Sequence, residues 1–441
     1  MNRILVLGAG LVSRPGVDYL LRQKGLSVTV ASRTVSKAEK LVEGTANGRA
    51  VAVDVEDGQA LAALVGAHDI VISLLPWIHH VKVAGLCLEL GKHMVTTSYV
   101  SDGMRRLAPA VLEKGLVFLN EIGVDPGIDH MSAMKIIHQV ESEEGKVLHF
   151  HSYCGGLPAP EHNDNPFGYK FSWSPRGVVL ASRNSARYLE DGKIVEIAGK
   201  DLFANPWVET IEGLGTFEVY PNRDSIPYRD QYGLKDALTV IRGTYRNPGW
   251  CETLKKIVEL GLVDETPRDG LKGIRYREMT AGLVGVPAAG DVRKATATKL
   301  GIKADSAVMK RLDWLGLFGD ETIPNSGNYL DVLSTRLQEK LYYKEGEKDM
   351  LILRHRFIVE NRDKSRDLIT STMIDFGIPF GDSSMARTVS LPMAIGTRLV
   401  AEGRIAMKGV LTPVHPDIYE PVLAELETLN IGMVEKRLHL K

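Results

Sequence analysis

The residues of this sequence that are best suited to chemistry begin with a glycine-rich turn. Gly8 and Gly10 follow an apolar strand pattern at residues 4–7, and a helical pattern and a second strand pattern at residues 27–31 come next. This order predicts a βαβ unit that binds a dinucleotide. Gly8 permits the tight turn, and Gly10 lets the backbone approach a pyrophosphate at the helix start. Ser13 takes the third glycine position and is small enough for close packing of the helix on the strand.

The residues after the second strand indicate which dinucleotide is bound. An NAD enzyme usually carries Asp or Glu there, to bind the ribose 2′-hydroxyl group. This chain has Ser32, Arg33 and Thr34 instead. A guanidinium group and two hydroxyl groups bind a 2′-phosphate, whereas a carboxylate would repel it. The segment therefore predicts NADP(H) rather than NAD(H), against the alternative that Arg33 is an ordinary surface arginine.

The elements that must position these residues continue as alternating strands and helices. Further strand patterns at residues 50–53, 70–75, 94–96 and 116–119 predict a doubly wound parallel sheet of the α/β class. Ligands of such sheets bind beyond the carboxyl ends of the strands. One crevice should therefore be lined by the residues that follow the strands, namely 8–13, 32–34, 54, 74–76, 97–99 and 120–125.

Asp125 lies in a bend, residues 123–127, that contains two glycines and a proline. Such a bend is rigid and could hold the carboxylate toward the crevice. Alternatively, Asp125 or Asp129 could cap the helix predicted from about Met131 to Val140. The sequence leaves both interpretations open.

A strand pattern begins at Lys146 and ends near Cys154, in a glycine- and proline-rich loop. His149 and His151 precede this cysteine, but no second pair of ligands lies nearby, so we expect no metal site. The run to Lys441 after the segment Ser384-Met385-Ala386 has a mostly helical pattern.

Three arginines in two short segments could bind carboxylates. Arg223 lies in a loop pattern, and Arg242 and Arg246 lie where a strand pattern runs into another loop. A guanidinium binds a carboxylate through two parallel hydrogen bonds. For any single arginine the alternative is a surface position with a partly buried stem.

Composition limits the class of protein. The chain has 441 residues, enough for two or three domains, with 44% hydrophobic and 25% charged residues, as in globular proteins. A net charge of −1 argues against nucleic-acid and anionic-membrane partners. The first strand starts almost at Met1, so we expect no signal or transit peptide. Cys87, Cys154 and Cys251 lie far apart, which favours a reducing, cytoplasmic setting.

Longer motifs resemble those of the saccharopine reductases, the glutamate-forming saccharopine dehydrogenases of lysine metabolism. The matching stretches are residues 120–130 (NEIGVDPGIDH), 152–161 (SYCGGLPAPE), 169–175 (YKFSWSP), 220–225 (YPNRDS) and 242–246 (RGTYR). The resemblance spans nearly the whole chain, including residues 314–317 and 348–350. One departure is Tyr245, where this family would have Leu, and it bears on substrate detail.

The resemblance implies an oxidoreductase of three parts. A Rossmann domain would comprise residues 1–126 and about 385–441, a mixed α/β domain for substrate binding and dimerisation residues 127–247 and about 325–384, and a small helical lid residues 248–324. The implied assembly is a homodimer. The implied reaction condenses 2-aminoadipate 6-semialdehyde with glutamate, reduces the imine with NADPH to saccharopine, and also runs in reverse.

The strand ends and the resemblance together give a set of candidate site residues. The expected cofactor contacts are Gly8, Gly10, Leu11, Val12, Ser32, Arg33, Thr34, Asp54, Val55, Leu74, Leu75, Thr97, Ser98, Val124, Asp125 and Ser174. The resemblance implies saccharopine contacts at Ser98, Tyr99, Asp125, Arg223, Thr244, Tyr245 and Arg246. Asp125, Tyr99 and Cys154 are the candidates for proton handling, and the sequence does not choose between them.

Two other functions are alternatives. A carboxynorspermidine- or carboxyspermidine-type dehydrogenase would reduce an imine formed from a diamine, and it would need acidic residues where this chain has Arg223 and Arg246. A non-catalytic NADP-binding redox sensor would have little use for the substrate loops.

Overall fold

The computed structural model describes residues 1–324 and 327–441, and the chain folds as two compact units. The first unit comprises residues 1–146 and 359–441, and the second comprises residues 147–358. The three-part division expected from the sequence stays a prediction. Its boundary at residues 324–325 involves Asn325, which lies outside the described residues.

The strands, in chain order, are β1 (Asn2–Leu7), β2 (Leu26–Ser32), β3 (Gly48–Ala52), β4 (Ile70–Ser73), β5 (His93–Thr96), β6 (Val117–Leu119), β7 (Lys146–Pro158), β8 (Ala186–Glu190), β9 (Lys193–Ile197), β10 (Trp207–Ile211), β11 (Gly215–Pro221), β12 (Thr239–Arg246), β13 (Asp349–Glu360), β14 (Arg366–Phe376), β15 (Gly409–Leu411) and β16 (Val434–Leu440).

The helices are α1 (Arg14–Leu21), α2 (Val35–Val42), α3 (Gly58–Gly66), α4 (His80–Glu89), α5 (Asp102–Glu113), α6 (Ile128–Ser142), α7 (Pro175–Ala181), α8 (Pro227–Gln231), α9 (Trp250–Leu260), α10 (Tyr276–Val284), α11 (Val292–Lys299), α12 (Ala307–Trp314), α13 (Tyr329–Lys340), α14 (Ser384–Ala401) and α15 (Pro416–Thr428). Short 3-10 helices span Trp77–His79, Pro160–His162 and Gly199–Asp201. No helix among the described residues has both the length and the apolar character needed to cross a bilayer.

The first unit contains a parallel sheet with the order β3-β2-β1-β4-β5-β6-β15. Apart from the added β15, this is the strand order of dinucleotide-binding domains. The strands are short apolar runs because helices cover both faces of the sheet, and Ile4, Leu5, Val6 and Leu7 of β1 are all fully buried. The predicted doubly wound sheet is confirmed, and its carboxyl edge carries the loops after β1, β2, β4, β5 and β6.

Helix α1 is in close contact with helix α14. A Cβ atom added at Gly16 would lie 2.8 Å from the carbonyl oxygen of Ser390. The Gly16 N–H also donates to the Ser390 hydroxyl at 2.9 Å. Gly16 therefore allows a close helix–helix contact with α14, whereas Ser13, which we expected to allow close packing of the helix on the strand, is fully buried in the turn before α1.

The second unit is built around a mixed sheet in which β10, β11, β12, β7 and β13 are successive neighbours. Strand β12 is parallel to β7 and antiparallel to β11, and β8 and β9 form a hairpin beside β12. Residues of this sheet and of helices α9 to α13 share one hydrophobic core, which contains Ile241, Trp250 and Leu312. Helices α9 to α12 lie within residues 248–324, where we expected a helical lid, and the existence of a separate lid and its motion stay predictions.

The mostly helical pattern predicted for the C-terminal region left out two strands. The C-terminal region contains strands β15 and β16 between and after its helices, because β15 pairs with β6 and β16 pairs with β14. The strand pattern at residues 239–246 is confirmed, since Thr239–Arg246 form β12. Hydrogen bonding to β11 holds this segment extended, as in the pair of Arg246 with Glu218.

The contact at Gly16 leads to a stability prediction. Gly16→Ala should lower the free energy of unfolding by about 1–3 kcal/mol, the usual cost of overpacking, less about 1 kcal/mol of gained helix propensity. Gly85→Ala is the matched control, since this glycine lies inside α4 with nothing within 4 Å of an added Cβ atom. It should raise stability by about 0.5–1 kcal/mol. Thermal and urea unfolding of both variants test this, and equal behaviour would show that the contact with α14 carries no constraint.

Candidate functional site

The turn after β1 is held by glycine geometry and by one serine. Gly8 has φ of +115°, and a Cβ atom there would lie 3.0 Å from the carbonyl oxygen of Leu74. The Ser13 hydroxyl accepts from the Gly10 N–H at 3.0 Å and donates to the Gly8 carbonyl at 3.3 Å. Ser13 therefore fixes the turn. An added Cβ at Gly10 would meet nothing within 4 Å, so the turn is open on that side.

The segment after β2 presents an unpaired guanidinium. The Ser32 hydroxyl accepts from the Thr34 N–H at 3.3 Å, which folds the segment back before α2 begins. Arg33 is exposed and forms no ion pair with any of the described residues. An arginine held by no carboxylate at this edge of the sheet fits the 2′-phosphate of NADP(H).

The other predicted cofactor contacts of the first unit lie at or near the same edge. Asp54 is exposed and turns the chain after β3, since its carboxylate accepts from the Glu56 N–H at 3.0 Å. The side chains of Val55 and Val124 are buried, whereas Leu11 is 70% exposed. Leu74, Leu75, Thr97 and Ser98 are half-buried, as is Val12 in the turn after β1.

Ser98, at the end of β5, is held by a buried histidine. His80 Nε2 lies 2.8 Å from the Ser98 hydroxyl oxygen, and His80 Nδ1 lies 2.8 Å from that of Ser73. The Thr96 hydroxyl donates to the Ser73 carbonyl at 3.0 Å and ties β5 to β4. Burial lowers the pKa of His80 to about 4, so the imidazole is neutral near pH 7.

The residues after β5 and β6 are joined by the carboxylate of Glu121. Its Oε1 accepts from the Val100 N–H at 2.8 Å, and its Oε2 lies 2.7 Å from His130 Nε2. The Glu121 N–H donates to the Ser98 carbonyl at 3.1 Å. Glu121 is 5% exposed, has φ of +57°, and so occupies a backbone region that L-residues rarely adopt. One buried carboxylate thus fixes the segment that carries Ser98 and Tyr99.

Tyr99 and Asp125 form a hydrogen-bonded pair. The Tyr99 hydroxyl donates to Asp125 Oδ1 at 2.9 Å, and both side chains are half-buried. Asp125 does not cap the following helix, because α6 has Gly127 at its N-cap. Asp129 instead accepts from the Gly127 N–H at 2.6 Å and from its neighbour His130 at 2.8 Å. The pair of Tyr99 and Asp125 can pass or hold a proton between a phenol and a carboxylate.

In the second unit, Thr244 and Cys154 lie side by side on parallel strands. Thr244 of β12 is in register with Cys154 of β7 and with Tyr220 of β11. Cys87, Cys154 and Cys251 are buried, and none of the three forms a disulfide. The described residues contain no cluster of His, Cys, Asp and Glu that could hold a metal ion.

Arg223 follows β11 and lines an open depression of about 810 Å³. Its φ is +57°, and its carbonyl accepts from the Arg187 N–H at 2.9 Å. Arg187 also lines the depression and forms an ion pair with Asp224 at 2.9 Å. Asp224 therefore has an arginine partner other than its neighbour in the chain, and the strained backbone at Arg223 is typical of functional positions.

Arg246 is a buried cation in an aromatic surround. Its guanidinium carbon lies 5.0 Å from the ring centre of Tyr169, 5.7 Å from that of Tyr220 and 5.4 Å from that of Trp250. Its Nη1 donates to the Tyr245 carbonyl, and its Nε has no hydrogen-bond partner. Arg246 is 5% exposed and forms no ion pair with the described residues. A buried charge without a counterion indicates an anionic ligand.

The side chains of Tyr245 and Ser174, two predicted ligand contacts, are placed less favourably for binding a ligand. The ring of Tyr245 is fully buried beside Tyr153 and Phe217, and its hydroxyl donates to Glu209 at 2.7 Å. It lies on the strand face opposite to Thr244 and Arg246. Ser174 is exposed and caps α7, accepting from the Gly177 N–H at 3.3 Å. Their ligand contacts stay predictions.

Family models match both parts of the chain. Residues 4–119 match the saccharopine dehydrogenase NADP binding domain, and residues 123–431 match the saccharopine dehydrogenase C-terminal domain. The chain belongs to the saccharopine dehydrogenase family. The first match confirms NADP(H) as the cofactor that the segment after β2 predicts.

Similar proteins of known name agree with this family. The chain is 42% identical to saccharopine dehydrogenase [NADP(+), L-glutamate-forming] of Schizosaccharomyces pombe, over 99% of each chain. It is 41% identical to the protein of the same name from Pyricularia oryzae, over 98% of each chain. The apo histidine-tagged saccharopine dehydrogenase (L-Glu forming) from Saccharomyces cerevisiae has a similar structure, with a TM-score of 0.90 and 39% identity over 99% of this chain and 100% of that chain. The predicted α/β fold and family are confirmed.

Reasoning from the sequence missed several residues of this saccharopine dehydrogenase family member that hold the site together. Ser73, His80, Glu121 and His130 are buried polar residues whose partners are distant in the sequence. Glu121 and His130 stand inside the motif at residues 120–130, but nothing in its spacing shows that their side chains meet.

The Glu121 network leads to a second stability prediction. Glu121→Ala leaves the Val100 N–H and the His130 imidazole without their acceptor, which should cost about 2–5 kcal/mol of stability. The control is Glu113→Ala, at the exposed end of α5, which should stay within about 0.5 kcal/mol. Thermal melting compares the two, and a Glu121→Ala melting temperature equal to that of the control would show that the network contributes nothing.

Proposed function

We propose that this protein is the NADP-dependent, glutamate-forming saccharopine dehydrogenase. It joins 2-aminoadipate 6-semialdehyde and glutamate through an imine that is reduced to saccharopine, and it also catalyses the reverse reaction. The observation that carries this proposal is Arg246, a buried guanidinium among aromatic rings with no ion-pair partner in the described residues. Leaving a buried cation unpaired is costly, and a substrate carboxylate removes that cost. Saccharopine carries three carboxylates.

Charge also separates this function from the alternative dehydrogenase. A diamine substrate needs carboxylates, whereas Arg246 is cationic and Arg223 brings a second cation to the loop after β11. A non-catalytic redox sensor would not require a buried cation to bind the carboxylate of a substrate. The similarity to glutamate-forming saccharopine dehydrogenases over nearly the full chain supports the same choice.

The protein's own residues then have distinct tasks. NADPH supplies the hydride that reduces the imine. The open side of the Gly8 to Ser13 turn faces the dinucleotide, and Arg33 binds its 2′-phosphate. Arg246 orients a carboxylate in a site that the three aromatic rings keep dry. The hydrogen-bonded Tyr99 and Asp125 are the proposed proton handlers, with Cys154 as the third candidate.

Assembly and location are further parts of the proposal. We propose a homodimer in the cytoplasm. Exposed apolar residues on β14 and β16 support a surface for a second copy, with Val434 63%, Leu438 62% and Ile374 38% exposed. The three buried cysteines form no disulfide, which fits a reducing compartment. Mass photometry of the purified protein tests the dimer.

The substrate assignment is tested by NADPH oxidation, followed by absorbance. The purified protein should consume NADPH with 2-aminoadipate 6-semialdehyde plus glutamate. It should not do so with a diamine plus aspartate semialdehyde. Turnover of the diamine pair alone would assign the protein to the alternative class, and turnover of neither pair would favour the sensor.

Arg33 should determine the choice of cofactor. The wild-type protein should prefer NADPH to NADH by at least about tenfold in kcat/KM, about 1.4 kcal/mol. Arg33→Ala should raise KM for NADPH by a similar factor and leave KM for NADH nearly unchanged. Arg22→Ala, at an exposed arginine just after α1, is the control and should change neither value. Equal use of both cofactors by the wild-type protein would contradict the assignment of the 2′-phosphate site.

Arg246 should matter for substrate more than for stability. Arg246→Met keeps an unbranched side chain and removes the charge, so kcat/KM for saccharopine should fall. The loss should correspond to about 1.5–3 kcal/mol of transition-state stabilisation, the range of a charged hydrogen bond. Stability should change little, because the lost cation–π contacts, about 2 kcal/mol, are offset by the relief of a buried unpaired charge.

The matched control for Arg246→Met is Arg183→Met, at an exposed arginine paired with Glu265 at 2.6 Å. Neither its kinetics nor its melting temperature should move by much. A large fall in melting temperature with unchanged saccharopine kinetics for Arg246→Met would show that Arg246 is a structural cation.

A further inference from the structure

The buried imidazole of His80 is part of a three-residue chain that no step of the proposed reaction uses. Ser73, at the end of β4, is fully buried, His80 is 5% exposed, and Ser98 is half-buried at the end of β5. The two nitrogens of His80 each lie 2.8 Å from one serine hydroxyl oxygen. The hydrogen-bonded chain therefore runs from a fully buried hydroxyl group to a half-buried one at the carboxyl edge of the sheet, where ligands bind.

The hydrogen positions in this chain follow from counting donors and acceptors. A neutral imidazole has one N–H donor and one acceptor nitrogen. In the described residues, the Ser73 hydroxyl has no other side-chain or backbone partner, so its buried hydrogen must go to His80 Nδ1. The ring proton is then on Nε2, and Nε2–H donates to the Ser98 oxygen.

This arrangement has a consequence for Ser98. Its hydroxyl oxygen already accepts from His80, so its own hydrogen points elsewhere. The Ser98 hydroxyl makes no other hydrogen bond within the described residues. The Ser98 N–H donates to the Thr96 hydroxyl at 3.3 Å, and the Ser98 carbonyl accepts from the Glu121 N–H, so the backbone is fixed as well. The Ser98 hydroxyl can therefore donate one hydrogen bond to a further acceptor.

We propose that His80 is a positioning residue, which holds the Ser98 hydroxyl as a hydrogen-bond donor toward an acceptor oxygen of the bound ligand. The acceptor is a carboxamide oxygen of the nicotinamide or a carboxylate oxygen of saccharopine. This inference rests on the proposed function, since Ser98 is a predicted contact of both molecules. The competing explanation is structural: His80 would only tie the start of α4 to β4 through Ser73.

Two amide variants separate these explanations. The amide nitrogen of Gln reaches the position of His Nε2, so His80→Gln keeps a donor to Ser98. The side-chain amide of Asn reaches only the position of Nδ1, where its oxygen can accept from Ser73, so His80→Asn keeps an acceptor for Ser73 and loses the donor to Ser98. His80→Asn should lower kcat/KM for saccharopine by about fivefold or more, the value of one hydrogen bond, whereas His80→Gln should stay within about twofold of the wild type.

The same variants in a Ser98→Ala background test whether His80 acts through Ser98. If it does, adding His80→Asn to Ser98→Ala should change kcat/KM by less than about twofold, because coupled residues are not additive. The Kd for NADPH, measured by fluorescence, identifies the acceptor. A raised Kd in His80→Asn indicates the carboxamide, and an unchanged Kd with a raised KM for saccharopine indicates the carboxylate.

His68→Asn controls for the loss of a buried histidine. His68 is 7% exposed and bonds the Leu64 carbonyl and the Thr29 hydroxyl, just before β4 and thus at the opposite edge of the sheet from Ser98. It should lower the melting temperature and leave the kinetics unchanged.

The inference is overturned if His80→Asn and His80→Gln have equal kinetics, or if the His80→Asn effect persists in full in the Ser98→Ala background. Failure of the proposed function is a separate result, a wild-type protein that does not oxidise saccharopine. In that case the Kd for NADPH decides. A Kd raised in His80→Asn but not in His80→Gln supports the inference, and equal values overturn it.

Discussion

The geometry of the first unit depends on one buried carboxylate. Glu121 accepts a backbone hydrogen bond from Val100 and meets the imidazole of His130, while its own N–H binds the Ser98 carbonyl. Burying a carboxylate is costly, and its two partners, the Val100 N–H on the loop after β5 and His130 in α6, offset that cost only in one arrangement. Parallel strands place their carboxyl ends side by side but leave the loops beyond them undetermined. The Glu121 contacts define those loops, and Tyr99 and Asp125 meet as a result.

A second constraint on the loop after β5 is the buried histidine at the start of α4. His80 is bonded at both nitrogens, so it selects one rotamer for two serine hydroxyl groups. It is neutral because burial lowers its pKa. A charged imidazole would donate from both nitrogens, and the hydrogen of the buried Ser73 hydroxyl would then have no acceptor among the described residues. Glu121 fixes the backbone around Ser98 and His80 fixes its hydroxyl. Together they hold a polar group in place before any ligand arrives, which lowers the entropy lost on binding.

The local signals in the sequence were enough for the framework of the first unit. Strand β1 and the glycine turn after it depend on a short apolar run and on a residue with positive φ, which are properties of neighbouring residues. Strand β16 was read as helical because it is rich in Glu, Lys, Arg and Leu, and its state is set by β14, far away in the chain. The partners of His80 and Glu121 are likewise tertiary, so no spacing rule reveals them. The long motifs named the family, but they did not show that Arg246 is buried or that Tyr245 faces the opposite side of its strand.

Arg33 and Arg246, which form no ion pair with the described residues, differ in burial and therefore in how strongly they can attract an anion. Arg33 is exposed, so water and salt screen its attraction for a phosphate, and it can discriminate between two cofactors only modestly. Arg246 is enclosed by Tyr169, Tyr220 and Trp250, where the effective dielectric constant is lower and a carboxylate is bound more strongly. The same enclosure makes Arg246 unfavourable for folding, because its charge has lost water and gained no counterion among the described residues. A chain selected for stability alone would place an apolar residue there, so a cation in the core agrees with the anionic ligand that we propose for it.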